Sequence, residues 1–456
     1  MRTSDPIFPP AREAIAFLLV SAVVVTLIQS AFYQMQQPQL DALRYVDYAL
    51  NIHDHGVFGL SGHHRDAAPE PGNANSPLYP AILAAALYVN TDLEISMRCA
   101  ITHRGQNLDP CPEEYATILW LQNGLIVVAL FFFWSTTRAL FNQPSIAWLS
   151  CALALASTKP LFYSNNFLTE LLVLSFFPLL MFALVAVLKS RRRRWWLLTG
   201  VVTGLMTLAR PEYLYLAYCF MFVGIIVIIS RRFSNAAPGL LIFVLAFYAV
   251  VAPWLIRNHH HFGQYAVTGG YADVIIAYRS AYNRMTLQEW TAAFVYWLPG
   301  HGEALATRIF PPSSYAKLGT DPQSYVYLEG REIFKNGLAA VDGDRDRLAG
   351  YLVRTEIVAH PFKHAYASIP LAWRGILAGK YLAALGVPCL TILAFIAWRR
   401  RCATILLLLI PALTMIALYA AVSVSIPRYN VYLIYYYAIA VAWATVKLVE
   451  KKRLRK

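Results

Sequence analysis

Apolar runs of about 20 residues recur along the whole chain, the length of a helix that crosses a bilayer. Their centres fall near Val24, Val127, Leu155, Leu179, Thr203, Val223, Val244, Thr391, Leu413 and Ala440, which predicts about ten spans joined mostly by short connections. Two connections are long, residues 34–114 and 257–378, and an alternating path of spans puts both on the external side. In the first, residues 41–53 carry Leu43, Val46 and Leu50 on one helical face and Asp41, Arg44, Tyr45 and Tyr48 on the other. This spacing predicts an amphipathic helix lying on the bilayer surface, with a carboxylate and a guanidinium turned from lipid. A Gly/His/Pro-rich stretch follows over residues 56–72, then a short apolar helix over 77–88 that opens at Pro77. The second long connection is too aromatic for a linker and is expected to fold as helices capping the bundle. Within it, Asp342, Asp344 and Asp346 suit the start of a helix over residues 345–360. No repeat at solenoid spacing is present.

With 58% hydrophobic residues, the fold class is all-α, a polytopic helical bundle with no ordinary soluble domain left over. The expected organisation is a transmembrane module over 1–270 that includes the loop 34–114, an external helical cap over 257–378, and C-terminal spans with a basic tail over 379–456. The net charge of +14 is mostly a topological address rather than a nucleic-acid footprint. Arg2, Arg12, the runs 189–194, 399–401 and 451–456, and Arg231 with Arg232 all fall on one side of an alternating path. The positive-inside rule makes that side, and both termini, cytoplasmic, with the long loops facing the periplasm or exterior. A polybasic tail also attracts anionic lipid of the surrounding bilayer. The first run is long enough to span and is read as a retained helix of an inner-membrane protein rather than a cleaved signal. Cys151, Cys219, Cys389 and Cys402 lie in or beside spans and read as small packing residues. Cys99 and Cys111 share the first external loop, in an oxidising compartment, and are expected to form a disulfide around Arg104, Gly105 and Pro110.

Several short motifs occur in a fixed order. They are Asp41-Ala42-Leu43-Arg44-Tyr45 with Ala49 beyond, Ser76-Pro77-Leu78-Tyr79-Pro80, Thr169-Glu170 at an external span start, Leu208-Ala209-Arg210-Pro211 at an external span end, and Pro253-Trp254-Leu255-Ile256-Arg257-Asn258. Together they resemble the GT-C glycosyltransferases, and among them the branch using polyprenyl-phosphate sugars, as in protein O-mannosyltransferases and lipid A aminoarabinose transferases. The resemblance covers about the first 270 residues. Ala42 stands where many relatives have an acidic residue, and Asn75-Ser76 where some have a lysine. The resemblance implies an integral-membrane transferase that moves a sugar from a polyprenyl-phosphate carrier to a glycan, lipid or protein acceptor. It also implies that Asp41 is the catalytic base.

The chemistry fits these residue types. A sugar on a lipid phosphate already has a good leaving group, so the reaction needs a base for the acceptor proton and cations for the charge gained by the phosphate. Arg44, with Tyr45 beside it, shares the Asp41 face. Arg210, Arg257 and Arg428 sit at external span ends, where the positive-inside rule makes arginine scarce, and Lys380 joins them at a later span start. Their ordinary alternative is snorkelling to headgroups; a shared anionic ligand is the functional reading, through the planar fork that guanidinium offers to phosphate. Glu170 is the carboxylate expected to orient an acceptor or pair with one of these arginines.

No cofactor is assigned from the sequence, and a divalent metal, though possible for the reaction, has no support from ligand spacing. The histidines His53, His55, His63, His64 and His259-His260-His261 have no zinc-ligand spacing, and residues 342–346 lack the Gly and Glu of a calcium loop at Arg347 and Val353. The external aromatics Tyr271, Tyr278, Tyr282, Trp290, Tyr296 and Trp297 read as an interfacial belt before a sugar platform. Two other readings share the hydropathy pattern. A lipid-linked saccharide flippase or transporter is opposed by the lack of matching halves and by charges at the rim rather than the midplane. A ligase or polymerase taking an oligosaccharide from a pyrophosphate carrier would share fold and topology.

Overall fold

The computed structural model describes residues 8–61, 68–104, 111–190, 192–230 and 236–454. His63, His64, Gly105, Pro110, Arg2, Arg191, Arg231 and Arg232, singled out above, lie outside the described residues. Among the described residues all regular structure is helical. Among the described residues seven helical segments are long and apolar enough to cross a membrane, and the protein is a multi-pass membrane protein.

The chain divides into two compact units. The first, Met1–Thr268 with Ala397–Leu408 and Ala438–Lys456, opens with α1 (Ala11–Phe32), α2 (Asp41–His55), α3 (Leu78–Leu87), α4 (Thr91–Thr102), α5 (Ala116–Phe141), α6 (Pro144–Ala156) and α7 (Lys159–Ser164). It continues with α8 (Glu170–Ser190), α9 (Arg193–Ala209), α10 (Tyr213–Ile229) and α11 (Ala236–Phe262). The second unit, Gly269–Ile396 with Leu409–Tyr437, contains α12 (Ala272–Ala281), α13 (Leu287–Tyr296), α14 (Gly302–Ile309), α15 (Glu329–Ala340), α16 (Arg345–Leu352) and α17 (Pro361–Ile376). Then α18 (Tyr381–Arg399) leads to α19 (Ala403–Leu408), α20 (Ile410–Val422) and α21 (Leu433–Arg453).

Three of the ten expected spans fall on shorter helices. The run near Leu155 is broken where Thr158 turns to φ 61°, leaving α6 and α7 as separate pieces. Helices α9 and α10 have 17 residues each, a rise of about 26 Å that only just reaches across the hydrocarbon layer. Pro211 ends α9 at Ala209, since the residue before proline is pushed out of the helical region; Arg210 is accordingly extended.

Small residues set the closest packing in the first unit. A Cβ on Gly200 would meet the Phe243 carbonyl oxygen at 2.5 Å, and one on Gly204 would meet Val250 Cβ at 2.8 Å. These glycines, four residues apart on α9, let α11 approach at backbone distance. Helix α8 lies between α5 and α9 and is buried over most of its length.

Helix α2 departs from the surface helix expected for it. Ala42, Leu43, Tyr45, Val46, Asp47, Tyr48, Ala49, Leu50 and Asn51 are all buried, because α3 and α4 pack onto it and cover the face read as lipid-facing. It ends at Gly56, whose φ of 66° suits the left-handed cap position that glycine occupies without strain. A disulfide joins Cys99 at the end of α4 to Cys111.

In the second unit the loop 257–378 is helical as its composition implies. Asp344 caps α16 by accepting from the Asp346 and Arg347 amides, and Thr286 with Glu289 forms a capping box on α13. The Arg279 guanidinium is fully buried and satisfied by neutral acceptors: Nε donates to the Ala420 carbonyl at 2.7 Å, Nη2 to Ser368 Oγ at 2.7 Å and the His364 carbonyl at 2.9 Å, and Nη1 to Asn283 Oδ1 at 2.9 Å. One side chain thereby ties α12 to α17 and α20. Burial pushes its pKa down to about 10.

Candidate active site

The first unit gathers charged residues where α2, α8 and α9 meet. Glu170 is the first residue of α8 and Arg210 the cap of α9. These helices run antiparallel, so the loop-facing end of one is the loop-facing end of the other. Arg210 Nη1 donates to Glu170 Oε1 at 2.8 Å, and its Nε to Glu212 Oε1 at 2.8 Å. Glu170 is 1% exposed, so its charge needs a partner of this kind.

Tyr45 joins α2 to this group. Its hydroxyl is hydrogen-bonded to the Thr169 side chain, and it senses the charges of Arg210, Glu170 and Asp41. Burial, opposed mainly by Arg210, holds its pKa above the ordinary tyrosine value, so the phenol is neutral at physiological pH. Tyr79 of the Ser-Pro-Leu-Tyr-Pro motif packs edge-on against Tyr45 with ring centres 5.7 Å apart. Its hydroxyl donates to Gln122 Oε1 at 2.8 Å, and Gln122 Nε2 donates to the Ser164 carbonyl at 2.8 Å. The floor of the site is thus fixed by buried hydrogen bonds from α3, α5 and the end of α7.

Asp41 stands exposed at the first position of α2. Leu40 before it has φ 50° and ψ −113°, a strained geometry for a residue with a side chain. Such outliers concentrate at functional sites. Arg44, half-buried, follows three residues on, one turn along the same helix.

The remaining candidates have other surroundings. Arg257, near the end of α11, donates from Nη1 to the Gly72 carbonyl at 2.7 Å and to Asn258 Oδ1 at 2.8 Å, and from Nη2 to the Phe58 carbonyl at 3.1 Å. Its guanidinium lies 4.8 Å from the Trp254 ring centre. It therefore holds the two ends of the loop that leaves α2, which the Gly72 amide also closes onto the Phe58 carbonyl at 2.7 Å. Lys380 and Arg428 belong to the second unit. Lys380 is exposed with φ 51° just before α18, and Arg428 is half-buried in a 3₁₀ turn over Pro427–Asn430.

Sequence reasoning missed Glu212, Thr169 as a Tyr45 partner, and Gln122. The signal for Glu212 was its place two residues after Arg210, within reach of the same guanidinium. Two groups have the donor set of a cation site. His53, Asp54 and Glu94 offer atoms within 4.8 Å of one another, but Arg98 already fills that place, with Nη1 at 2.8 Å from Asp54 and Nε at 2.8 Å from Glu94. Cys99, His103 and Cys111 also converge, and the disulfide removes both thiolates.

Residues 114–256 match the family model of dolichyl-phosphate-mannose-protein mannosyltransferases. The matched stretch runs from before α5 into α11 and holds Glu170, Arg210 and Glu212, while Asp41 precedes it. In three dimensions the chain is similar to a chain of the S. cerevisiae protein O-mannosyltransferase Pmt1-Pmt2 complex bound to the sugar donor, with 13% identity and a TM-score of 0.37 over 61% of this chain and 40% of that one. It is also similar to ArnT from Cupriavidus metallidurans bound to undecaprenyl phosphate, with 12% identity and a TM-score of 0.39 over 96% of this chain and 78% of that one. The apo form of that protein gives 13%, 0.39, 94% and 77%. The chain thus spans well under half of the yeast chain it matches. No curated protein sequence matches it.

Proposed function

We propose that this chain, whose residues 114–256 carry a GT-C family match, is a membrane glycosyltransferase that moves a sugar from a polyprenyl-phosphate carrier to an acceptor on the external face. The observation that carries the reading is the Glu170–Arg210 ion pair at 2.8 Å with Tyr45, hydrogen-bonded to Thr169 and within electrostatic range of Asp41, beside it, since these residues come from three of the motifs on which the resemblance rests.

Asp41 takes the proton of an acceptor hydroxyl. The freed oxygen attacks the anomeric carbon, the bond from that carbon to the phosphate oxygen breaks, and polyprenyl phosphate leaves with the electron pair. One displacement inverts the anomeric centre. The phosphate gains a negative charge, and Arg44, on the Asp41 helix, is the cation placed to stabilise it. Arg210 is engaged by Glu170 and Glu212 at 2.8 Å each, and together the three groups carry a net negative charge. That environment favours acceptor hydroxyls, which donate to carboxylates, over a phosphate. Arg257 serves the reaction by fixing the loop beside the site. The donor is thus a lipid-linked sugar, the acceptor a glycan, lipid or protein, and the cytoplasm holds both termini.

The test is a transfer assay with purified protein in lipid nanodiscs, supplied with polyprenyl-phosphate sugars one at a time. Release of polyprenyl phosphate that depends on added acceptor supports the reading. Transfer from none of them in the presence of acceptor, with intact protein, opposes it.

A further inference from the structure

The turn between α18 and α19 borders an open concavity of about 600 Å³ lined by Trp398, Arg399, Arg401, Ala403 and Leu406. All five residues belong to the first unit. A basic run at a span end ordinarily faces water as a topological marker. Here two features exceed that role. First, two of its three arginines line one concavity, alongside a tryptophan of the kind that anchors at headgroup depth and two apolar side chains. Second, α18 closes with the Cys402 amide donating to the Ala397 carbonyl at 2.8 Å and the Arg401 amide to the Trp398 carbonyl at 3.0 Å. That pattern places Arg401 at the left-handed position normally given to glycine, with φ 53°. An arginine adopts this conformation against its own backbone preference, and the position turns its side chain into the cavity wall.

We propose that this cavity is a binding site for the headgroup of an anionic phospholipid. The lipid phosphate takes donors from Arg399 and Arg401, whose forked guanidinium groups suit phosphate oxygens. Trp398 and Leu406 border the glycerol and first acyl carbons. The bilayer itself supplies the ligand, at a span end where basic pockets select anionic lipid. This site is separate from the carboxylate–arginine cluster, and stands or falls independently of the transfer reaction.

Native mass spectrometry of the full chain, purified in neutral detergent and offered phosphatidylglycerol or phosphatidylcholine, tests the proposal. Wild type should retain phosphatidylglycerol in preference, and Arg399→Gln and Arg401→Gln should each lower that retention about fivefold. Arg401→Gly relieves the backbone strain, so it should raise the unfolding temperature of lipid-free protein while losing the lipid preference. This variant separates loss of the site from loss of the fold. Equal retention of both lipids by wild type would overturn the proposal, as would unchanged preference in the glycine variant. Displacement of the lipid by inorganic phosphate alone, with no preference among lipids, would mark an ion site and equally overturn it.

Discussion

Arg210 bridges Glu170 and Glu212, with 2.8 Å to each carboxylate, and Glu170 is the more deeply buried of the pair. Removing the guanidinium takes from Glu170 the cation 2.8 Å away, in a place that water barely reaches. Arg210→Met should therefore destabilise the first unit by about 3–5 kcal/mol, with the double variant Glu170→Gln/Arg210→Met recovering much of the loss. Thermal unfolding of the four proteins in one detergent checks this. Additive losses would show that the two residues do not interact.

Arg257 ties the loop leaving α2 to α11 through the Phe58 and Gly72 carbonyls. Arg257→Gln should loosen that loop by about 1–3 kcal/mol while sparing the bundle. Hydrogen exchange of the amides flanking the loop should rise, with the α5 and α8 amides unchanged. Unaltered exchange at Phe58 and Gly72 would instead favour the phosphate-contact role expected from its position in the chain.

The bond between Cys99 and Cys111 closes a short loop, 12 residues in sequence. Its reduction should cost about 2–4 kcal/mol of stability. Unfolding with and without a reductant measures the difference, and alkylation of non-reduced protein should leave both cysteines unmodified.

His364 on α17 is buried, and desolvation followed by the nearby Arg279 pushes its pKa down to about 4. The unfolded chain binds a proton at this residue near the ordinary value of about 6.5. Its contribution to stability is thus present above that value and is lost as pH falls towards 4. The unfolding temperature of the wild type should drop over this window, and His364→Asn should flatten the drop. An identical acid slope in the variant would assign it to other groups.

Much of this was legible in the chain, and the failures have physical causes. The hydropathy runs located the spans because lipid imposes a length and an apolar composition on every crossing. They do not register the break at Thr158 or the stop that Pro211 imposes on α9, so three of the ten expected spans fall on helices of 17 residues or fewer. Helix α2 was found from its period, but its burial was not: the same apolar face suits a lipid surface and a protein neighbour. Asp41, Tyr45, Glu170 and Arg210 were named from motifs, whereas Glu212 and Gln122 act through contacts between segments distant in sequence. Gly200 and Gly204, a helix-contact pair at four-residue spacing, were not singled out from the sequence. Arg257 shows the limit of position as evidence, since a span-end arginine beside a loop finds backbone carbonyls as readily as a phosphate.

The central claim is that Asp41 is the base of a sugar transfer. Its most direct test is glycan profiling of cells carrying wild type or Asp41→Asn, matched for expression and membrane insertion. The account predicts that the variant loses one sugar from an envelope glycan, lipid or protein while the corresponding polyprenyl-phosphate sugar accumulates. An unchanged profile with the variant at equal level would contradict it and leave Asp41 as the first residue of a helix and no more.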